Sequence, residues 1–365
     1  LRVNIKDHFS KKSKESPNFR QSLLRSIKLA PQLKNGEQNN ILGIFIGFII
    51  LIGSIMLIAF SSHIAVKHSA ALASSLGVSS LIIGITLVSI GTDVSEIFNS
   101  IISCALGHGD IDVGDSVGSD LTQLTLIFGL LPLICGKFLV KRKEFLIIGS
   151  CEVLSLILIL TVVEKGYFTR LNAIVMMLSF LFYTLVTYNV TKSDMLEKVD
   201  LMIHKGEDHS TRRRIHFLVY AIIGFAGVTL SSYFIVQSLI YLSSRFNVNE
   251  FILSFFLLSI GTSVPELSVD ITALRQKEYN LAIGDIIGSC IVDSTISIAI
   301  GQFLFPQPVS AQLAIPTILY TIIASLIVII VVSKRQIMDW KSGILFISIY
   351  LLGFPILLSS FYFYF

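Results

Sequence analysis

Runs of about 20 mostly apolar residues, the length that crosses the hydrocarbon core of a bilayer, recur ten times along this chain of 365 residues. They lie near 41–75, 79–106, 111–135, 145–163, 171–190, 215–243, 249–274, 280–304, 312–332 and 342–362. Only helices and closed barrels satisfy their own backbone polar groups inside lipid. None of the runs shows the roughly ten-residue alternation of a barrel strand. The sequence therefore predicts an all-α polytopic membrane protein with ten transmembrane helices. Composition agrees, with 53% of residues hydrophobic and 14% charged, where soluble domains carry about 25% charged residues. That balance excludes a soluble enzyme, a nucleic-acid binder and a disulfide scaffold. Cys104, Cys135, Cys151 and Cys290 lie scattered in apolar stretches without metal-ligand spacing and read as packing residues.

Lys and Arg concentrate in alternate loops, as the cytoplasmic side of a membrane protein requires. Segments 137–143, 192–214, 275–277 and 334–341 hold fifteen basic residues, against Lys165, Arg170 and Arg245 in the opposite loops. With ten spans, both termini are expected outside and the 191–214 loop in the cytoplasm. Residues 1–40 carry nine basic and three acidic residues, a bias that runs against this placement. This basic N-terminal arm reads as an interfacial segment, a processed leader, or the mark of one span miscounted. The remaining organisation is a first five-helix repeat over 41–190, a cytoplasmic loop over 191–214 and a second five-helix repeat over 215–365.

The repeat is visible in the residues themselves. A shift of 170 aligns SIGTDVSEIFNSI (89–101) with SIGTSVPELSVDI (259–271), and GDSVGSDLTQLT (114–125) with GDIIGSCIVDST (284–295), without a gap. The same shift pairs Ser61-Ser62 with Ser231-Ser232. Five spans per copy is an odd number, so the second copy must enter from the opposite face. Inverted repeats with a binding site where they meet at the midplane are a recurring plan of secondary transporters.

Ionisable groups within a bilayer are costly and mark function by default. The repeated stretches hold Asp93, Glu96, Asp115, Asp120, Glu266, Asp270, Asp285 and Asp293, with no Lys or Arg in their apolar parts. Such acids need bound cations, protons or both. Gly91-Thr92 and Gly261-Thr262-Ser263-Val264-Pro265 interrupt apolar helices, because Gly loosens the ladder and Pro removes an N–H, so broken helices are expected at the midplane. Thr92, Thr262, Ser263, Ser119 and Ser289 add neutral oxygens near the glutamates, and hard cations select oxygen donors. Asp93 has two readings: a ligand facing the same cavity as Glu96 one helical turn on, or a cap on the broken helix.

GTDVSE with GDSVGSD, and GTSVPE with GDIIGSC, resemble the two α-repeats of the calcium/cation antiporter superfamily, above all its sodium/calcium exchanger branch. That branch reads G-T-S-x-P-E followed by G-N-x-x-G-S-N. The resemblance implies Glu96 and Glu266 as central ligands, completed by Thr92, Thr262, Ser263, Ser119 and Ser289, with later motif positions on Gln123 and Asp293. Several residues depart from the pattern: Asp93 stands for Ser, Ser95 for Pro, Asp115 and Asp285 for Asn, and Asp120 and Cys290 for the Asn after Gly-Ser. Most of these add negative charge.

The expected activity is secondary active antiport of a divalent cation, Ca²⁺ first, against Na⁺ by alternating access. The alternatives are cation/proton exchange, Na⁺/Mg²⁺ exchange and a cation channel. No covalent cofactor is expected. The transported ions are Ca²⁺ or Mg²⁺ and Na⁺ or H⁺, the surroundings are the bilayer of the cell membrane, and no nucleic acid takes part. In the family the first helix of each repeat slides over a steadier core, here 41–75 and 215–243, with the serine pairs where these helices cross the site.

Overall fold

A computed structural model describes residues 40–75, 93–202, 211–275, 277 and 279–362. The basic arm over 1–40, apart from Asn40, and the first half of the span expected over 79–106 lie outside the described residues, as do Gly91 and Thr92. The described residues from Ile44 onward pack as one unit.

Helices carry almost all of the described chain. In order they are α1 (Asn40–Ser75), α2 (Val94–Leu106), α3 (Gly109–Leu121), α4 (Phe128–Cys135), α5 (Arg142–Val163), α6 (Arg170–Met202), α7 (Thr211–Phe246), α8 (Glu250–Leu253), α9 (Ser259–Thr262), α10 (Val264–Arg275), α11 (Tyr279–Val292), α12 (Ile298–Leu304), α13 (Ala311–Arg335) and α14 (Trp340–Tyr362). Short π-helical stretches at Thr122–Ile127, Ser254–Leu258 and Asp293–Ser297 join α3 to α4, α8 to α9 and α11 to α12. Nine continuous stretches among the described residues are long and apolar enough to span a bilayer, and Val94–Leu106 is a shorter apolar helix. The loop expected at 191–214 is largely helical where described, because α6 runs on to Met202 and α7 starts at Thr211.

The ends of these helices gather into two groups. At one end, β1 (Phe138–Leu139) pairs antiparallel with β2 (Ile337–Met338), and the Phe138 ring stacks on Tyr279, so three of the basic loops meet. At the other end, Val309 N–H donates to the Gly166 carbonyl, Ser310 binds Asp110 and His108 binds Glu250. Gly109–Cys135 therefore runs from the second end to the first, and its repeat mate Tyr279–Leu304 runs back the other way. The two stretches thus run antiparallel to each other.

Burial separates core from periphery. In the most apolar window of Gly109–Cys135 and of Ala282–Leu304, 78% of residues are buried, against 22% for α1 and 17% for α6. The two central stretches are those that hold the Gly-Ser motifs. A Cβ on Gly118 would collide with the Phe255 carbonyl, so glycine lets α3 lie against the backbone of the neighbouring π segment. Gly224 and Gly227 of α7 likewise admit Ala65 and Ser61 of α1. Around α1 and α7, Leu51, Ile58, Val228, Ile235 and Leu239 bury against Val94 and Ile111 of the core, while Phe45, Met56 and Phe60 point outward, as lipid-facing residues do.

Candidate cation site

The residues that precede α2 and α10 share one backbone geometry at the repeat spacing. Asp93, the residue before α2, has φ −83° and ψ 10°. Its mate Ser263, between α9 and α10, has φ −84° and ψ 7°. Both lie in the sparsely populated bridge region between helix and strand. Pro265 follows in the first turn of α10, where its missing N–H is tolerated. Each of these two positions is followed by a buried glutamate about one turn later, Glu96 or Glu266. The π segments recur as well: Thr122–Ile127 follows Gly118-Ser119, and Asp293–Ser297 follows Gly288-Ser289. Such bulges widen the helix by one residue and are frequent at functional sites.

The start of α2 and the π segment at Asp293 bring three acids together. One carboxylate oxygen each from Asp93, Glu96 and Asp293 lies within 4.8 Å of the other two, and the three side chains are 0–2% exposed. Gln123 Nε2 donates to Asp293 Oδ2 at 3.1 Å, so two repeat mates meet across the pseudo-two-fold. Ser95 Oγ donates to Glu96 Oε2 at 2.6 Å. Ser119 and Thr262 bring their hydroxyls within 3.4 Å of each other, and Thr262 Oγ1 donates to Asp115 Oδ1 at 3.2 Å. Ser289 stands beside Asp93. Glu266 is buried and within electrostatic reach of Glu96 and Asp93, but falls outside the tight triple. Ser263 is buried with its hydroxyl unpartnered. Thr92 lies outside the described residues.

Asp93 occupies the N-cap position of α2 but makes no side-chain cap bond. Its carboxylate points into the cluster instead, which removes the support for its role as a cap.

Segments 93–106, 109–135, 259–274 and 279–304 contain no Lys or Arg. Glu96 Oε1, Asp293 Oδ1 and both carboxylate oxygens of Glu266 lack a hydrogen-bond partner. Two like charges about 5 Å apart repel by roughly 3 kcal/mol even at an effective dielectric near 20, so the cluster cannot be ionised without a bound cation. Its donors are carboxylate, hydroxyl and amide oxygens, the set that suits Ca²⁺ or Na⁺ rather than a soft metal.

Three residues of this polar interior are not picked out by the sequence motifs. Asn99 Nδ2 donates to Asp115 Oδ2 at 3.2 Å. Asp112 accepts from Gln302 Nε2 at 2.7 Å and from Cys104 Sγ at 3.2 Å. Glu152, buried in α5, has its Oε1 2.9 Å from Ser325 Oγ. A lone acid inside the apolar run 145–163 is itself a signal for Glu152, but it has no counterpart in the second repeat. Ser95 is legible in the sequence only as a missing proline.

The profile of a family described as "Sodium/calcium exchanger protein" matches residues 46–189 and 216–357. Among curated proteins, the chain is 26% identical over 309 residues to an uncharacterized membrane protein of Methanocaldococcus jannaschii, covering 84% of this chain and 96% of that one. It is 24% identical over 335 residues to the sodium/calcium exchanger MaX1 of Methanosarcina acetivorans, covering 83% and 96%. Among solved structures, the sodium-calcium exchanger NCX_Mj superposes with a TM-score of 0.55 at 23% identity, covering 86% of this chain and 99% of that one. The last likeness concerns the fold alone.

Proposed function

The chain belongs to the sodium/calcium exchanger protein family, and we propose that it moves Ca²⁺ across the membrane in exchange for Na⁺ by alternating access. One observation carries this reading: three buried carboxylates within 4.8 Å, with Glu266 beside them and no cationic side chain on the segments that supply them. Two ionised carboxylates balance one dehydrated divalent ion, and the remaining oxygens complete its shell. When Ca²⁺ leaves, the same charges must be matched by sodium ions before the site is neutral enough to cross the membrane interior. Competition for shared oxygens thus couples the two fluxes.

Glu96, Glu266, Asp93 and Asp293 are the proposed charged ligands. Thr92, Thr262, Ser263, Ser119, Ser289 and Gln123 are the proposed neutral ones. Asp93 and Asp293 make the site more acidic than a pair of glutamates alone, which favours a divalent over a monovalent ion when all four are ionised.

Counterflow in proteoliposomes tests the proposal, with Ca²⁺, Mg²⁺, Na⁺ and H⁺ gradients imposed one at a time. A Na⁺ gradient should drive Ca²⁺ uphill. Ca²⁺ movement that responds only to a pH gradient would give the role of Na⁺ to the proton, and single-channel currents would exclude exchange altogether.

A further inference from the structure

Glu152 lies outside the repeated motifs, and the residue 170 positions further on is Ile322. It sits in the middle of α5 and is fully buried, at bilayer depth, where an unpaired carboxylate is expensive. Its surroundings are hydroxylic. Ser325 of α13 and Ser155 of α5, themselves repeat mates, stand next to it, and Ser155 Oγ lies 2.6 Å from Ser294 Oγ of the π segment that begins at Asp293.

The hydrogen count around Ser325 decides the state of the carboxyl. Ser325 Oγ is 2.9 Å from Glu152 Oε1 and 2.9 Å from the Thr321 carbonyl, and a hydroxyl has one hydrogen for the two contacts. With Glu152 ionised, one contact has no hydrogen, and Oε2, which lacks any partner, is left bare in the membrane interior. With a proton on Oε1, Glu152 donates to Ser325 Oγ and Ser325 donates to Thr321. Every contact then holds one hydrogen, and no buried charge remains.

The titratable groups facing Glu152 are all acidic or neutral. Asp120 of α3 lies within its electrostatic reach. Cys290 of α11 sits among Asp120, Glu152, Asp293 and Asp93. From α6, Tyr183 approaches Cys151, the residue before Glu152, and α13 contributes Ser325 and Thr321. Among the described residues, no cation offsets an ionised Glu152.

We propose that Glu152 is a proton-binding site separate from the cation cluster, and that its bound proton keeps the charge beside Asp120, the neighbour of Ser119, low enough for the transported cation to leave. Loss of the proton to solvent adds one negative charge on the α5 side of the site, which tightens cation binding and slows release. The effect on transport rests on the exchanger reading; protonation of Glu152 does not.

Two measurements on the purified full-length protein test this. In the infrared spectrum at neutral pH, wild type minus E152Q should contain a protonated-carboxyl C=O band. In proteoliposomes, the Ca²⁺ concentration for half-maximal uptake should fall about tenfold between neutral and alkaline pH in wild type, equal to about 1.4 kcal/mol. In E152Q, which mimics the protonated group, the shift should shrink to the smaller part that proton competition at the cation cluster itself produces. S325A, which removes the group that receives the proton's hydrogen bond, should shift the midpoint of the wild-type pH profile. Absence of the difference band, or an E152Q pH profile identical to wild type, overturns the proposal. If wild type carries no Ca²⁺ at all, the exchanger reading fails and the infrared band alone decides the state of Glu152.

Discussion

Single carboxylates set what this site can hold. Glu96 and Glu266 are repeat mates, both buried, one inside the tight triple and one beside it. Replacing either with Gln removes a charge while keeping its shape, so E96Q and E266Q should each reduce exchange by at least about a hundredfold, the loss of roughly 3 kcal/mol. Membrane abundance should be unchanged, and wild-type flux in either variant would rule out a shared site. Asp93 makes the sharper case, because it sits at a cap position without capping. D93S should therefore leave the melting temperature nearly intact while altering the preference among Ca²⁺, Mg²⁺ and H⁺, read from competition in uptake assays. A selectivity and pH profile identical to wild type would leave Asp93 without a role in binding.

Helices translate these charges into movement and stability. α1 and α7 touch through Gly224 against Ala65 and Gly227 against Ser61, and Ser61, Ser62, Ser231 and Ser232 are all buried. If these two helices slide together over the core, disulfides joining α1 or α7 to α2 should stop exchange but leave Ca²⁺ binding measurable. Full turnover after complete cross-linking would contradict the sliding. At the far end of the chain, Asp339 caps α14 by accepting from the Ser342 N–H at 2.9 Å and pairs with Arg335 at 2.7 Å. The Ser342 backbone bond, with help from Arg335, holds the Asp339 carboxyl below its ordinary range. A depressed folded-state pKa contributes stability that is complete above the unfolded value and fades as pH drops through the folded one. D339A should thus cost about 1 kcal/mol at neutral pH and little in strong acid, as thermal melts across pH would record.

Across the molecule, sidedness follows from charge. Three of the basic loops meet at one end through the β1–β2 pair and the Phe138–Tyr279 stack, while loops 164–169 and 305–310 meet at the other. Single cysteines placed at 192–214 should be labelled only from the cytoplasm, and those at 306–311 only from outside. Labelling of both from one face would be incompatible with the inverted arrangement. Membrane class and helical content are legible in the residues alone, because each rests on a local property, span length or composition, and the sequence repeat shows as identity at a constant offset. The acids of the site are legible too, since a charged residue inside an apolar run, matched by a partner at the repeat spacing, carries a cost that packing alone does not offset. How those acids group is a matter of three dimensions. Asp93, Glu96 and Asp293 converge because the start of α2 packs on the π segment that begins at Asp293, a contact between distant segments that no local pattern encodes. The same holds for Glu152, whose meaning depends on one serine hydrogen contributed by a helix 173 residues away.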